Sequence, residues 1–100
     1  MTDVVNKIDP VKLGKIANVL KVIAHPVRLE VIELLLQKKE LTVGEIRDRL
    51  DIEQSLLSHH LTKMKDKGVL VSTRQGKHVI YEVAIEEIST IFECMSHCNL

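Results

Sequence analysis

The sequence predicts a mainly α-helical protein with one small β-hairpin, a winged helix-turn-helix with the element order α-α-α-α-β-β-α. Three consecutive stretches predict it. LTVGEIRDRL reads as a short capped helix, DIEQSLLSHHLTKMKDKG as a turn feeding a helix with one polar face, and VLVSTRQGKHVIYEV as a hairpin with a basic tip. In this order they form a unit whose second helix is shaped to enter the major groove of DNA.

Each element has a local cause. Pro10 and Pro26 stand where helices begin, because the fixed φ of proline suits a first helical turn and its missing amide costs nothing there. From Pro10, the apolar residues Leu13, Ile16, Leu20 and Ile23 recur at helical spacing. That helix must end before His25-Pro26, since the residue preceding a proline is pushed out of the α region. A second helix follows from about Pro26 to Gln37, with Leu29, Ile32, Leu35 and Leu36 inward, and breaks at Lys38-Lys39-Glu40. Thr42 caps a third, short helix ending near Leu50, and Glu45 three residues on completes a capping box. Asp51-Ile52-Glu53 forms the turn, and a fourth helix runs from about Gln54 to Lys67 until Gly68 stops it. Val69 to Thr73 and Val79 to Val83 are the strands of a hairpin with Arg74-Gln75-Gly76-Lys77-His78 at its tip. A last helix, about Ile85 to His97, carries Ile85, Ile88, Ile91, Phe92 and Met95 on one stripe.

With 100 residues, 45% of them hydrophobic, the chain reads as a single domain over residues 1–100, too apolar for disorder. A domain of this size gains from a shared interface, so a homodimer is expected. No apolar run approaches the ~20 residues of a membrane span. The start MTDVVNKIDP lacks the basic-then-apolar order of a secretion signal, which implies the reducing cytoplasm and free thiols at Cys94 and Cys98. The formal net charge is zero, but its distribution is uneven. Met1 to Glu53 is balanced. Gln54 to Val79 holds Lys63, Lys65, Lys67, Arg74 and Lys77 against Asp66 alone, and Ile80 to Leu100 holds only Glu82, Glu86, Glu87 and Glu93. Phosphate binding depends on the local field, so the positive charge lies where a DNA surface is expected.

At about 100° per residue, the helix from Gln54 separates into faces. Leu57, Leu61 and Met64 fall together as core, while Gln54, Ser55, Ser58, His59 and Thr62 form a polar arc near the helix start. Hydroxyls are poor fillers of a merely solvated helix face, whereas amide, hydroxyl and imidazole groups suit base edges and phosphates. Lys63 on the same helix and Arg74, Lys77 and His78 on the hairpin complete the candidate DNA contacts. His60 projects between Leu56 and Met64 and reads as a hydrogen-bonded histidine at the core margin, outside the site. With aromatic residues at 2%, the chain has no stacking platform for single strands.

The words LKVIAHPVRLEVIELL, LTVGEI and QSLLSHHLTKMKDKGVLVSTRQGKHVIYEV resemble the ArsR/SmtB family of bacterial metal-responsive and related repressors, over roughly Leu20 to Val83. The resemblance implies a homodimer joined through its first and last helices, bound to an imperfect palindrome and blocking transcription until an inducer weakens the complex. It also implies DNA contacts at Gln54, Ser55, Ser58 and His59. The family's inducer sites do not carry over. Where its arsenic and cadmium sensors have Cys-Val-Cys, this chain has Thr42-Val43-Gly44, and the Asp-x-His of its zinc and nickel sensors is replaced by Glu86-Glu87-Ile88. The second helix also lacks the cysteine of the persulfide sensors. In their place stand Cys94, His97 and Cys98, at i, i+3 and i+4, with Glu87 as a further donor. Zinc or another soft ion, thiol redox sensing and no sensory role are the three readings of this group. No cofactor is required for DNA binding. The expected function is therefore a double-stranded-DNA-binding repressor. The alternative from another class is a winged helix used as a protein-interaction or assembly module, whose surface would favour aromatic and aliphatic anchors over this polar arc. No nucleophile, base and orienting group occur together, which excludes an enzyme.

Overall fold

The computed structural model describes residues 7–100; residues 1–6, the first part of the amino-terminal stretch discussed above, lie outside the described residues. In chain order the elements are α1 (Pro10–Ile23), α2 (Pro26–Lys38), β1 (Leu41–Thr42), α3 (Val43–Leu50), α4 (Gln54–Asp66), β2 (Leu70–Gln75), β3 (His78–Val83) and α5 (Glu87–Ser96). The helices therefore begin and end within a residue or two of their predicted bounds.

The punctuation is chemical at nearly every joint. Asp9 accepts the Val11 amide at the start of α1, and the His25 imidazole does the same for Val27 at the start of α2. After α2 the chain reverses through Lys39 at φ 74°, with the Glu40 amide bonded to the Lys38 carbonyl in a γ-turn. Thr42 and Glu45 form the reciprocal capping box: Glu45 N donates to Thr42 Oγ1 at 3.1 Å and Thr42 N to Glu45 Oε1 at 2.8 Å. The bond from the Thr42 backbone is the main reason the Glu45 carboxyl titrates below its ordinary range, with Arg49 and His78 adding to it. Asp51 takes the left-handed conformation at the end of α3, as a short polar side chain tolerates, and this sets the corner between α3 and α4. Gly68, at φ 80°, ends α4 in a Schellman motif, with Val69 N bonded to Met64 O and Gly68 N to Lys65 O.

The core lies where α2, α3 and α4 meet the sheet. Val31, Ile32 and Leu35 of α2 pack with Ile46 of α3, with Leu57, Leu61 and Met64 of α4, and with Leu41, Leu70 and Tyr81 of the strands. The predicted core face of α4 is thus the observed one. On α2, Val31 is buried while Leu29 and Leu36 are half-buried. Only Ile23 of α1 and Ile88 of α5 are fully buried, so Leu13, Leu20, Ile91 and Met95 leave the outer flanks of these two helices apolar and exposed.

Three boundaries differ from the sequence reading. The sheet has a third strand, β1, in the order β1-β3-β2, with Leu41 opposite Tyr81 and Thr42 opposite Ile80. Two residues carry no alternation of their own, and the pairing that makes them a strand lies some forty residues away. The hairpin tip is shorter than predicted. Arg74 pairs with Val79 and Gln75 with His78, so only Gly76 and Lys77 form the loop. Gly76 at φ 62° in the first loop position allows the two-residue turn that matches strand twist. Finally, α5 spans Glu87–Ser96 rather than Ile85 to His97. No helix among the described residues is long and apolar enough to cross a membrane.

The capping box predicts that Thr42→Ala lowers unfolding stability by about 1 kcal/mol through loss of the N-cap acceptor. Glu45→Gln, which keeps an acceptor for the Thr42 amide, should lose less. Urea denaturation of the two variants beside the parent chain measures both.

Candidate nucleic-acid interface

The buried stripe of α4 fixes which of its side chains can meet another molecule. With Leu57, Leu61 and Met64 at 0–1% exposure against the core, Gln54, Ser55, Ser58, His59 and Thr62 are all exposed on the opposite arc, as is Lys63 beside them. The helix brings these six together. Its first turn has no side-chain cap, so its leading amides are free to face an anion together with the polar arc. Gln54 is held by Arg47, whose Nη1 donates to Gln54 Oε1 at 2.7 Å. Ser55 donates through Oγ to Glu53 Oε2 at 2.8 Å.

The hairpin supplies the second part. Arg74, Lys77 and His78 are exposed, with Arg74 on β2, Lys77 in the turn and His78 opening β3. Because β2 packs on α4, the hairpin stands beside the recognition helix as a wing. His78 also helps hold the Glu45 carboxyl ionised, in keeping with the pairing of Thr42 with Ile80 that sets the start of β3 beside the start of α3.

His60 stands apart from this surface. It is 4% exposed, while its neighbour Leu56 is 46% exposed. Arg28 Nε donates to its Nδ1 at 3.0 Å, and Arg28 Nη1 donates to the Val22 carbonyl at 2.8 Å. The ring of His25 lies 4.5 Å from that of His60 and the ring of His59 lies 5.7 Å away. Burial, and then the charges of His25, Arg28 and His59, push the His60 pKa below its ordinary value. The predicted core-margin role of His60 is what the structure shows. Sequence reasoning missed its partner Arg28, 32 residues away, and missed Arg47 altogether. A basic residue in the last turn of a short helix is accounted for by the helix dipole, so nothing local marked Arg47.

The Cys94, His97, Cys98 and Glu87 group is not brought together. Among the described residues, no group of three or more His, Cys, Asp and Glu side chains could hold a metal ion. The reason is the length of α5. The helix ends at Ser96, His97 is its cap, and Cys98 lies beyond it, so the expected i, i+3, i+4 face does not persist. Glu87 is at the other end of the helix, about 10 Å from Cys94 at ~1.5 Å per residue. Both cysteines are free and exposed.

A polar-faced helix set by a left-handed corner and flanked by a basic two-stranded wing is the arrangement of a winged DNA reader, and known proteins place it further. A family described as a helix-turn-helix domain matches residues 23–73, just over half of the chain. The chain belongs to the ArsR/SmtB family of winged-helix transcriptional regulators. It is 36% identical over 91 residues to the transcriptional repressor PagR of Bacillus anthracis, covering 91% of each chain. It is 32% identical over 82 residues to the transcriptional activator HlyU of Vibrio cholerae, covering 82% of this chain and 75% of that one. The crystal structure of PagR superposes with a TM-score of 0.81 at 34% identity, over 87% of this chain and 99% of that one. The structure of HlyU from Vibrio cholerae gives 0.82 at 29% identity, over 91% and 100%. The protein is thus a DNA-binding transcriptional regulator, and members of this family are not enzymes.

The His60 cluster gives a pH prediction. Its folded-state pKa lies below that of the unfolded chain, so the unfolded chain binds the extra proton first. The stabilisation is therefore complete above about pH 6.5 and lost as pH falls through the depressed folded value. Denaturation midpoints should drop between pH 7.5 and 5.5, and His60→Gln, weaker at pH 7.5, should lose less over the same interval.

Proposed function

We propose that this chain is a sequence-specific, cytoplasmic repressor that binds double-stranded DNA as a homodimer, each protomer acting as one winged unit over residues 1–100, and that an inducer releases it. The observation that carries this reading is the exposed arc of Gln54, Ser55, Ser58, His59 and Thr62 on a helix whose other face is fully buried. Those five residues read base edges, and Lys63, Arg74, Lys77 and His78 hold phosphates along the neighbouring backbone and minor groove. Leu56 is the only large apolar side chain exposed on α4, which argues against a protein-interaction surface there.

The dimer is assigned to α1 and α5. Between them runs a groove of about 470 Å³ whose apolar lining includes Ile16, Val19, Leu20, Ile85, Ile88 and Ile91. The exposed Leu13 and Met95 add to the apolar surface of the same two helices. A second copy would cover these faces and set two α4 helices in register with a palindrome. Repression, rather than activation, follows the similarity to PagR. Cys94 and Cys98, exposed at the end of α5, are open to a thiol-reactive inducer.

Ser58→Ala combined with His59→Ala should abolish specific operator binding without unfolding the protein, because both side chains are exposed. Lys77→Ala should instead weaken every duplex alike and flatten the salt dependence by about one unit. Mobility shifts across a salt series separate the two, and undiminished specific affinity in the double variant would overturn the assigned reading face. Sedimentation of the DNA-free protein at micromolar concentration should give a dimer, and a monomer there would overturn the α1 and α5 interface.

A further inference from the structure

Arg47 lies in the last turn of α3 and reaches over the Asp51 corner to the first residue of α4. Its Nη1 donates to Gln54 Oε1 at 2.7 Å and its Nε to Asp48 Oδ1 at 3.3 Å. Residue 44, one turn earlier, is glycine and faces the guanidinium, and a Cβ there would sit in ordinary van der Waals contact 3.9 Å from Arg47 Nη2. A guanidinium carries only donors, five of them, so this contact decides how the Gln54 amide faces. Its oxygen is turned to α3 and its NH2 group is left for whatever approaches α4.

That orientation changes what the glutamine can read. A free glutamine pairs with adenine by accepting from N6 and donating to N7. With the oxygen engaged, the amide offers its donors, and the uncommitted N–H groups of Arg47 stand beside them. Guanine is the base whose major-groove edge presents two neighbouring acceptors, N7 and O6. We infer that Arg47 is a specificity-determining positioning residue, which turns Gln54 into a donor and so selects guanine at the base pair Gln54 meets. The inference rests on the reading of α4 as the DNA-reading helix.

Selection of binding sites from random duplexes tests it, with the parent chain, Arg47→Ala, Arg47→Met, Gln54→Ala and the Arg47→Ala, Gln54→Ala double variant. The parent should enrich guanine at one position of the selected site. Arg47→Ala frees the amide oxygen and should shift that position toward adenine, changing the adenine-to-guanine ratio about tenfold while other positions hold. Arg47→Met keeps side-chain length without donors and should behave likewise, should Arg47→Ala prove poorly folded. Gln54→Ala should remove discrimination at that position whether or not Arg47 is present. Adenine in the parent's site, or an unchanged consensus in the Arg47 variants, would overturn the inference alone. A uniform loss of affinity with a salt slope flattened by about one unit and no change of base would also overturn it, by making Arg47 a phosphate clamp. A parent chain that enriches no consensus would overturn this inference and the DNA-reading function together.

Discussion

The Arg28 guanidinium holds the molecule in the form that makes α4 useful. It is the one side chain that bonds α1 and α4 from α2, with the Val22 carbonyl on one side and the buried His60 ring on the other. Val22 lies at the end of α1, and His60 lies in the middle of α4 between the core residues Leu57 and Met64. The orientation of the recognition helix relative to α1 is therefore set by hydrogen bonds as well as by nondirectional apolar packing. A guanidinium is suited to this task, since it is always charged and its donors are fixed in a plane. Its acceptor on His60 exists only while that imidazole is unprotonated at Nδ1, and burial favours that state. The joint is thus complete while His60 is neutral, and protonation of that ring would remove the acceptor that Arg28 uses.

Two kinds of information were unequally legible in the sequence. Features whose cause is local came through: the Thr42 and Glu45 capping box, the stop at Gly68, the prolines at helix starts, and the Leu57, Leu61 and Met64 face. Each depends on residues within one or two helical turns, so the pattern and the physics coincide. What was lost depends on partners distant in sequence. Leu41 and Thr42 become a strand only because β3 returns to pair with them. Arg74, Gln75 and His78 look like loop residues because both faces of the hairpin end are wet, and the ladder rather than any apolar alternation makes them strand. The candidate site shows the same division. Its polar arc follows from helical periodicity, while the bonds that orient it, Arg47 to Gln54 and Arg28 to His60, cross between helices.

The cysteines show how one turn of helix decides chemistry. Spacing of i, i+3 and i+4 gathers three donors only where the helix continues through all of them. Here the amides of His97 and Cys98 bond back to Cys94 and Met95 in a tightened final turn, and the helix is over by Ser96. The chain therefore presents two exposed thiols near the end of α5 rather than a convergent ligand set. The Ile91 and Met95 side chains of the same helix are left uncovered. Chemistry at these thiols would act beside the exposed apolar flank that the proposed dimer would cover.

The winged scaffold does not by itself determine the direction of control. The antimony-specific repressor AntR shares this fold with a TM-score of 0.82 at 19% identity, a likeness of architecture alone. PagR is named a repressor and HlyU an activator, yet both superpose on this chain about equally well. A helix in a major groove and a wing on the backbone supply affinity and sequence preference, neither of which has a sign. The sign comes from what the bound regulator excludes or admits at its site. On the reading proposed above, what this chain contributes is narrower and chemical: which base the first residue of α4 would prefer, how α4 is held, and where near the end of α5 a thiol-reactive signal would act. Those three properties would lie with Arg47, with Arg28 and His60, and with Cys94 and Cys98, of which His60 alone is buried.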